Sequence, residues 1–307
     1  MTRFVKILIS ILILISPLFA ASKDTSVLAV WSDTHFGAYD YNDKTRIDII
    51  KQINDIASKE PPEELKEILK NSPIETLIHC GDITEKGLSS QWNDPDIADQ
   101  RSYISTVGHL DTNIKTLAAL GNHDSRKEFN IRKQFADFYG ATYYSRNINN
   151  LHVIFLDPYP NLNSAAPILD KEQLKWLAKD LLAIEKNTPI LFIMHVLPCH
   201  NEKLDRTSRL DKESSEKLYD IISDYNIIAF FHGHWHKRAI TKWNNIDIIA
   251  PAGFSYYRKG CPQGEPIIAI TTLSNDTLKI YGFNWHKDEF EPNIFFAKKI
   301  TQNICFK

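Results

Sequence analysis

Five short segments of this chain carry residues able to bind hard cations, and each follows an apolar run. Ser32-Asp33-Thr34-His35 follows VLAVW, and Gly81-Asp82 follows IETLIHC. Gly121-Asn122-His123-Asp124 follows TLAAL, His195 follows ILFIM, and His232-Gly233-His234-Trp235-His236 follows IIAFF. A set of carboxylate, imidazole and amide oxygen without thiolate suits Mn, Fe or Zn. Asp33, His35, Asp82, Asn122, His195, His234 and His236 are too many ligands for one ion. They suit two ions that share a carboxylate, and two ions about 3.5–4 Å apart are a standard device for displacement at phosphorus. In an extended chain, residues i and i+2 face the same side, so Asp33 with His35 and His234 with His236 can aim at one point.

The apolar runs are the elements that must place these groups. Residues 27–31 read as a buried strand, as do 74–79, 115–120, 151–156, 190–194 and 227–231. Between them the spacing predicts helices over 44–59, 61–69, 127–138 and 211–223. A further helix is capped by Asp170 and carries Leu174, Leu177, Leu181 and Leu182 on one face. After residue 231 the texture changes to strands at 246–249, 267–272 and 277–283 with no clear helix between them. Alternating strands and helices followed by an all-β tail indicate an α/β chain with mixed sheets flanked by helices. Ligand sites of such sheets form at the carboxyl ends of strands, where all five segments fall.

The set D-x-H, G-D, G-N-H-D, H and G-H-x-H, in this order, resembles the calcineurin-like metallophosphoesterases over residues 27 to about 253. Residues 143–145, 151–157 and 173–177 are similar to the secreted and cyclic-nucleotide phosphodiesterase branches. The resemblance implies a four-layer α/β/β/α sandwich with two mixed sheets. It implies one metal on Asp33, His35 and His236, another on Asn122, His195 and His234, and Asp82 bridging them. It also implies a metal-bridging hydroxide as nucleophile and His123 as the acid that protonates the leaving oxygen, with Asp124 a candidate to orient His123. Purple acid phosphatases carry a tyrosine three residues after the bridging aspartate; here that position is Glu85, which argues against a purple-type iron site. The arginine that follows G-D in protein serine/threonine phosphatases is also missing. The expected activity is therefore metal-dependent hydrolysis of a phosphodiester. A secreted, nucleotidase-like phosphomonoesterase and a catalytically silent metal-binding scaffold are the alternatives. The expected partner is a small phosphoester: a nucleotide, a phospholipid headgroup or an organic phosphate.

The 307 residues are 43% hydrophobic with a net charge of -2, which excludes wholesale disorder. The absence of a Lys/Arg-rich run argues against a stable nucleic-acid partner. Arg3 and Lys6, an aliphatic stretch over 7–15, Ser16-Pro17 and the small residues Ala20, Ala21 and Ser22 read as a signal peptide over residues 1–21. The remainder, 22–307, is then a single exported domain with an all-β tail, in contact with a membrane only during export, or anchored there if uncleaved. Of the cysteines, Cys80 reads as a small buried residue and Cys261–Cys305 as the first pairing to check. His79, His109, His152 and His286 read as structural, His232 as buried in its strand and His200 as a loop residue. Arg126 and Arg258 read as solvated, and Trp92, Tyr256 and Tyr257 as packing residues. The segments 88–109 and 197–210 are expected to shape the pocket.

Overall fold

The computed structural model describes residues 25–36, 43–85, 103, 106–126, 129–130, 132–160, 166–253, 266–274 and 276–300. The signal-peptide reading, Cys261, Cys305, Trp92, Tyr256, Tyr257, Arg258 and most of 88–109 lie outside them. The strands are β1 (Ser26–Trp31), β2 (Thr76–His79), β3 (Lys115–Ala118), β4 (Ser125–Arg126), β5 (Phe129–Asn130), β6 (Tyr144–Ile148) and β7 (Leu151–Phe155). They continue as β8 (Ile190–Ile193), β9 (Ile227–Phe231), β10 (Ala239–Trp243), β11 (Ile246–Ala250), β12 (Ile267–Ser274), β13 (Thr277–Asn284) and β14 (Glu289–Lys299). The α-helices are α1 (Asp43–Asn54), α2 (Glu63–Asn71), α3 (Arg132–Tyr139), α4 (Lys171–Leu181) and α5 (Lys212–Ile222).

Two six-stranded mixed sheets form the centre, ordered β14-β13-β12-β1-β2-β3 and β10-β11-β9-β8-β7-β6. In the first, β1, β2 and β3 are parallel and β12 runs antiparallel to β1. In the second, β7, β8, β9 and β11 are parallel, with antiparallel β6 and β10 at the edges. The parallel strands read as continuous apolar runs because both faces are covered. On β8, Leu191 and Ile193 join the core shared with the first sheet, α1 and α2, whereas Ile190 and Phe192, with Met194 just after the strand, pack with Leu174, Leu177 and Leu218 of α4 and α5. That division gives the layers α, β, β, α. Helices α4 and α5 start where Asp170 and Asp211 accept hydrogen bonds from Gln173 N–H and Ser214 N–H.

Four sequence expectations change. Within 127–138, Phe129–Asn130 form β5, paired antiparallel with β4 just before that range, and two-residue strands are too short to leave an alternating pattern; the helix is Arg132–Tyr139. Leu182 is not on the buried face of α4 but is its C-cap and 80% exposed. Strands β6, β10 and β14 were not expected, because each sits at a sheet edge where half-exposed polar residues weaken the apolar signal. The β-rich tail is divided between the layers: β10 and β11 complete one sheet, and β12 to β14 the other.

Candidate metal centre

The site lies where the carboxyl ends of parallel strands from both sheets meet. Trp31 of β1 pairs with His79 of β2, and His79 with Ala118 of β3, so these three strands end level. Their extensions deliver Asp33 and His35, Asp82, and Asn122 and His123. Across the core, Ile193 of β8 pairs with Phe231 of β9, which sets His195 beside His234 and His236.

The convergence does not come from extended backbone. Asp33, His35, Asp82, His234 and His236 have φ of 54, 42, 55, 68 and 52°, the left-handed region that non-glycine residues avoid. Each such residue costs about 1 kcal/mol or more, and such strain clusters at functional sites. It is held by backbone bonds that continue the sheet past the strand ends: Asp33 N–H to the Gly81 carbonyl at 3.0 Å, His35 N–H to Asp82 at 3.1 Å and Phe36 N–H to Ile83 at 2.8 Å. Gly81, at φ 96°, turns β2 into the site, and a Cβ there would lie 2.6 Å from His195 Nδ1.

Two clusters of potential ligands result, with Asp82 between them. Ligand atoms of Asp33, His35 and His236 lie within 4.8 Å of one another, as do those of Asp82, His195 and His234, and the equally close group of His35, Asp82 and His123 joins the two. In the first, His236 Nε2 is 3.2 Å from His35 Nε2 and 3.4 Å from Asp33 Oδ1. In the second, Asn122 Oδ1 is 3.2 Å from His195 Nε2 and 3.0 Å from His234 Nδ1. Asp82 Oδ2 lies 3.2 Å from His195 Nε2 and 3.8 Å from His35 Nε2, so one oxygen faces both clusters. Buried carboxylates and ring nitrogens converging on shared points are a donor set that could bind metal ions.

The charges are set by this packing. Burial opposes ionisation of Asp33 and Asp82, but the surrounding histidines hold both below the ordinary carboxylate range. Burial pushes His35 down and brings His234 to about 4, the neutral form a metal requires. For His195, burial is outweighed by Asp82 and then Asp33, which raise it to about 9. His195 Nδ1 donates to the Cys80 carbonyl at 2.9 Å, which leaves Nε2 facing the cluster.

His123 and Asp124 part company. The His123 N–H donates to Asp82 Oδ1 at 2.8 Å, and its Nδ1 donates to the Glu85 carbonyl at 2.6 Å. Asp124 does not hold that ring. It is fully buried, and its carboxylate accepts from the N–H groups of Ile83 (3.1 Å), Thr84 (2.9 Å) and Gly121 (2.9 Å) and from Thr84 Oγ1 (3.0 Å). It ties the β2 and β3 extensions together; burial and then Asp82 push its carboxyl up to about 6, against those backbone donors. The group beside His123 is Glu85, whose Oε2 lies 3.5 Å from His123 Nδ1 and 2.9 Å from His35 Nδ1. The sequence marked Glu85 only by the tyrosine it replaces.

The other histidines stay outside the clusters. Gly81 N–H donates to His79 Nδ1 at 3.1 Å, so His79 Nε2 donates to Thr34 Oγ1 at 2.8 Å, and Thr34 in turn donates to the Ile83 carbonyl at 3.0 Å. Burial holds His79 down at about 3 and His232 at about 4. His152 sits between Asn147 and Asp180, and His200 accepts from Arg209 Nη1 at 2.7 Å in the loop after β8. Cys80 is fully buried.

Sequence comparison agrees with this architecture. Serine/threonine-protein phosphatase CPPED1 of Pongo abelii is 23% identical over 204 residues, 64% of this chain and 64% of the relative. The human CPPED1 is 22% identical with the same shares, so this chain matches less than two thirds of either relative's length. A solved structure described as GAP50, the anchor in the inner membrane complex of Plasmodium, superposes with a TM-score of 0.58 at 14% identity, covering 91% of this chain and 90% of that one. That likeness is one of fold. The sequence model of the calcineurin-like phosphoesterases matches residues 27–238, the stretch holding both clusters and more than half of the chain; the chain belongs to that family.

Proposed function

We propose that this protein hydrolyses a phosphoester with two metal ions, and that a phosphodiester is its first substrate class. The observation that carries the reading is the pair of ligand clusters sharing Asp82. Cations held there would lower the pKa of a nucleophilic water and neutralise charge on the phosphoryl oxygens. Asp33, His35 and His236 would hold one, Asn122, His195 and His234 the other, and Asp82 both. His123 keeps its Nδ1 proton on the Glu85 carbonyl, so Nε2 is the nitrogen left to pass a proton to the leaving oxygen. The Glu85 carboxylate, 3.5 Å from the same ring, balances a positive charge on it. General-acid help of this kind contributes roughly 10²–10⁴-fold.

The preference for a diester rests on the resemblance and on Glu85 in place of the purple-type tyrosine. The name of the CPPED1 relatives favours a second reading, a phosphomonoesterase acting on phosphoserine or phosphothreonine. The substrate in this reading is a small phosphoester, and the composition of residues 1–21 supports export from the cytoplasm. The test compares a chromogenic phosphodiester and its monoester with Mn²⁺ and with chelator, for wild type and His123→Ala. Metal-dependent diester turnover that His123→Ala lowers at least a hundredfold is expected. Monoester turnover alone moves the assignment to the phosphatase, and bound metal without turnover of either overturns the catalytic reading.

A further inference from the structure

A sixth strand end reaches the centre and belongs to neither cluster. β7 lies beside β8, with Phe155 paired to Ile193, and its extension is Leu156-Asp157-Pro158-Tyr159. This turn is built rigidly. Gln173 accepts from Asp157 N–H and donates to the Asp157 carbonyl, both at 2.8 Å. Asp157 Oδ1 accepts from Tyr159 N–H at 3.0 Å, while Arg132 pairs with Asp157 Oδ2 at 2.5 Å and donates to the Tyr159 carbonyl at 2.8 Å. The side chain so fixed is 9% exposed, and its ring centroid lies 6.4 Å from that of His195. Its hydroxyl is buried and has no hydrogen-bond partner among the described residues. Burial pushes this phenol well above its ordinary range, and the carboxylates of Asp82 and Asp157 push the same way.

A buried hydroxyl without a partner is costly, and a rigid turn that maintains one needs a reason. The ring that Tyr159 lies beside, that of His195, belongs to the centre, where a bound phosphoryl oxygen would supply the missing acceptor. We propose that Tyr159 is a further substrate-binding residue, whose hydroxyl donates to a phosphoryl oxygen of the phosphoester on the His195 side of the centre. The inference rests on the metal-dependent reading above. Held well above its ordinary pKa of about 10, this phenol stays neutral, which suits the task because it donates to an anion without adding charge.

The test uses the full chain loaded with Mn²⁺, inorganic phosphate as probe, and Tyr159→Phe, which removes one oxygen atom. Mn content and phosphate binding are measured calorimetrically, beside the melting temperature of the metal-free protein. The expected result is an unchanged Mn content, a melting temperature equal to or above wild type, and phosphate binding weakened by about 10- to 100-fold, the loss of one hydrogen bond to a charged oxygen. Phosphate binding within twofold of wild type overturns the proposal. Loss of Mn or a lowered melting temperature also overturns it, since the hydroxyl would then serve the ligands or the fold. Wild type that binds phosphate with Mn but cleaves no ester would overturn the hydrolytic reading and leave the role of Tyr159 to be decided by the same comparison; wild type that binds no phosphate overturns both.

Discussion

Gly121→Ala is the substitution whose effect can be worked most directly from the geometry. Gly121 precedes Asn122, and a Cβ on it would lie 2.1 Å from both the backbone nitrogen and Oδ1 of Asp82, and 2.8 Å from its Cα. Ordinary contact begins at 3.4 Å, so Asp82 must retreat by more than 1 Å, and the backbone nitrogen and Cα in the way cannot swing aside as the tip of a flexible side chain could. Functional constellations tolerate displacements of about 0.5 Å. The retreat breaks the 2.8 Å bond from His123 N–H and moves the carboxylate shared by both clusters. Stability should fall by about 1–3 kcal/mol from overpacking, and metal affinity by at least about tenfold. Gly140→Ala is the control: its φ of 94° strains alanine, but the nearest atom to its Cβ is Arg146 Nη2 at 3.6 Å. It should cost about 1 kcal/mol and leave metal binding alone. Urea unfolding of the metal-free proteins and Mn²⁺ titration separate the two effects. The reasoning is refuted if Gly121→Ala binds two Mn²⁺ with wild-type affinity, or if Gly140→Ala loses metal to the same extent.

Three further outcomes are expected. Glu85→Ala should weaken Mn²⁺ binding by about 10- to 100-fold and lower turnover, because it removes the carboxylate 2.9 Å from His35 Nδ1; Glu85→Gln, which keeps an acceptor there, should restore most of the affinity in the same titration. Asp124→Ala strands the N–H groups of Ile83, Thr84 and Gly121 in a buried place and should cost about 3 kcal/mol or more by denaturant unfolding, with Asp124→Asn milder. Asp247 of β11 supplies a pH dependence: burial would raise its carboxyl, but Lys242 at 2.7 Å and Lys298 at 2.8 Å hold it below its ordinary value. Its stabilisation is therefore complete above the unfolded carboxyl pKa of about 3.9 and is lost as pH falls through the folded value. Melting temperatures from pH 7 to pH 3 should show wild type losing an advantage over Asp247→Asn at the acid end.

The layers were legible because buried parallel strands are continuous apolar runs, and the residues that meet at the centre stood out because each strand end carries an Asp, His or Asn. The means of convergence was not legible. Alternation in extended chain predicted that Asp33 and His35 face together, whereas left-handed backbone at both residues does it, and only the pairing of 33–36 with 81–84 explains why that conformation holds. The role of Asp124 was misread for a related reason. The resemblance made Asp124 a candidate to orient His123, but the turn after Gly121 sends the two side chains apart, one to Glu85 and one into the β2 extension. Glu85, Gly121 and Tyr159 matter through neighbours far along the chain, and no local pattern marks such neighbours. Edge strands β6, β10 and β14 escaped because half of each faces solvent, and in β14 Pro292 lies opposite a register shift between Tyr281 and Phe283.

The central claim is that two ions held through one shared carboxylate perform the hydrolysis. It is tested most directly by stripping the full chain of metal and restoring Mn²⁺ in steps while following cleavage of a phosphodiester and its monoester. The account predicts that turnover rises only with the second equivalent, and that Asp82→Asn abolishes it by disturbing both sites at once. Full turnover at one equivalent, or none of either substrate with two equivalents bound, would contradict it.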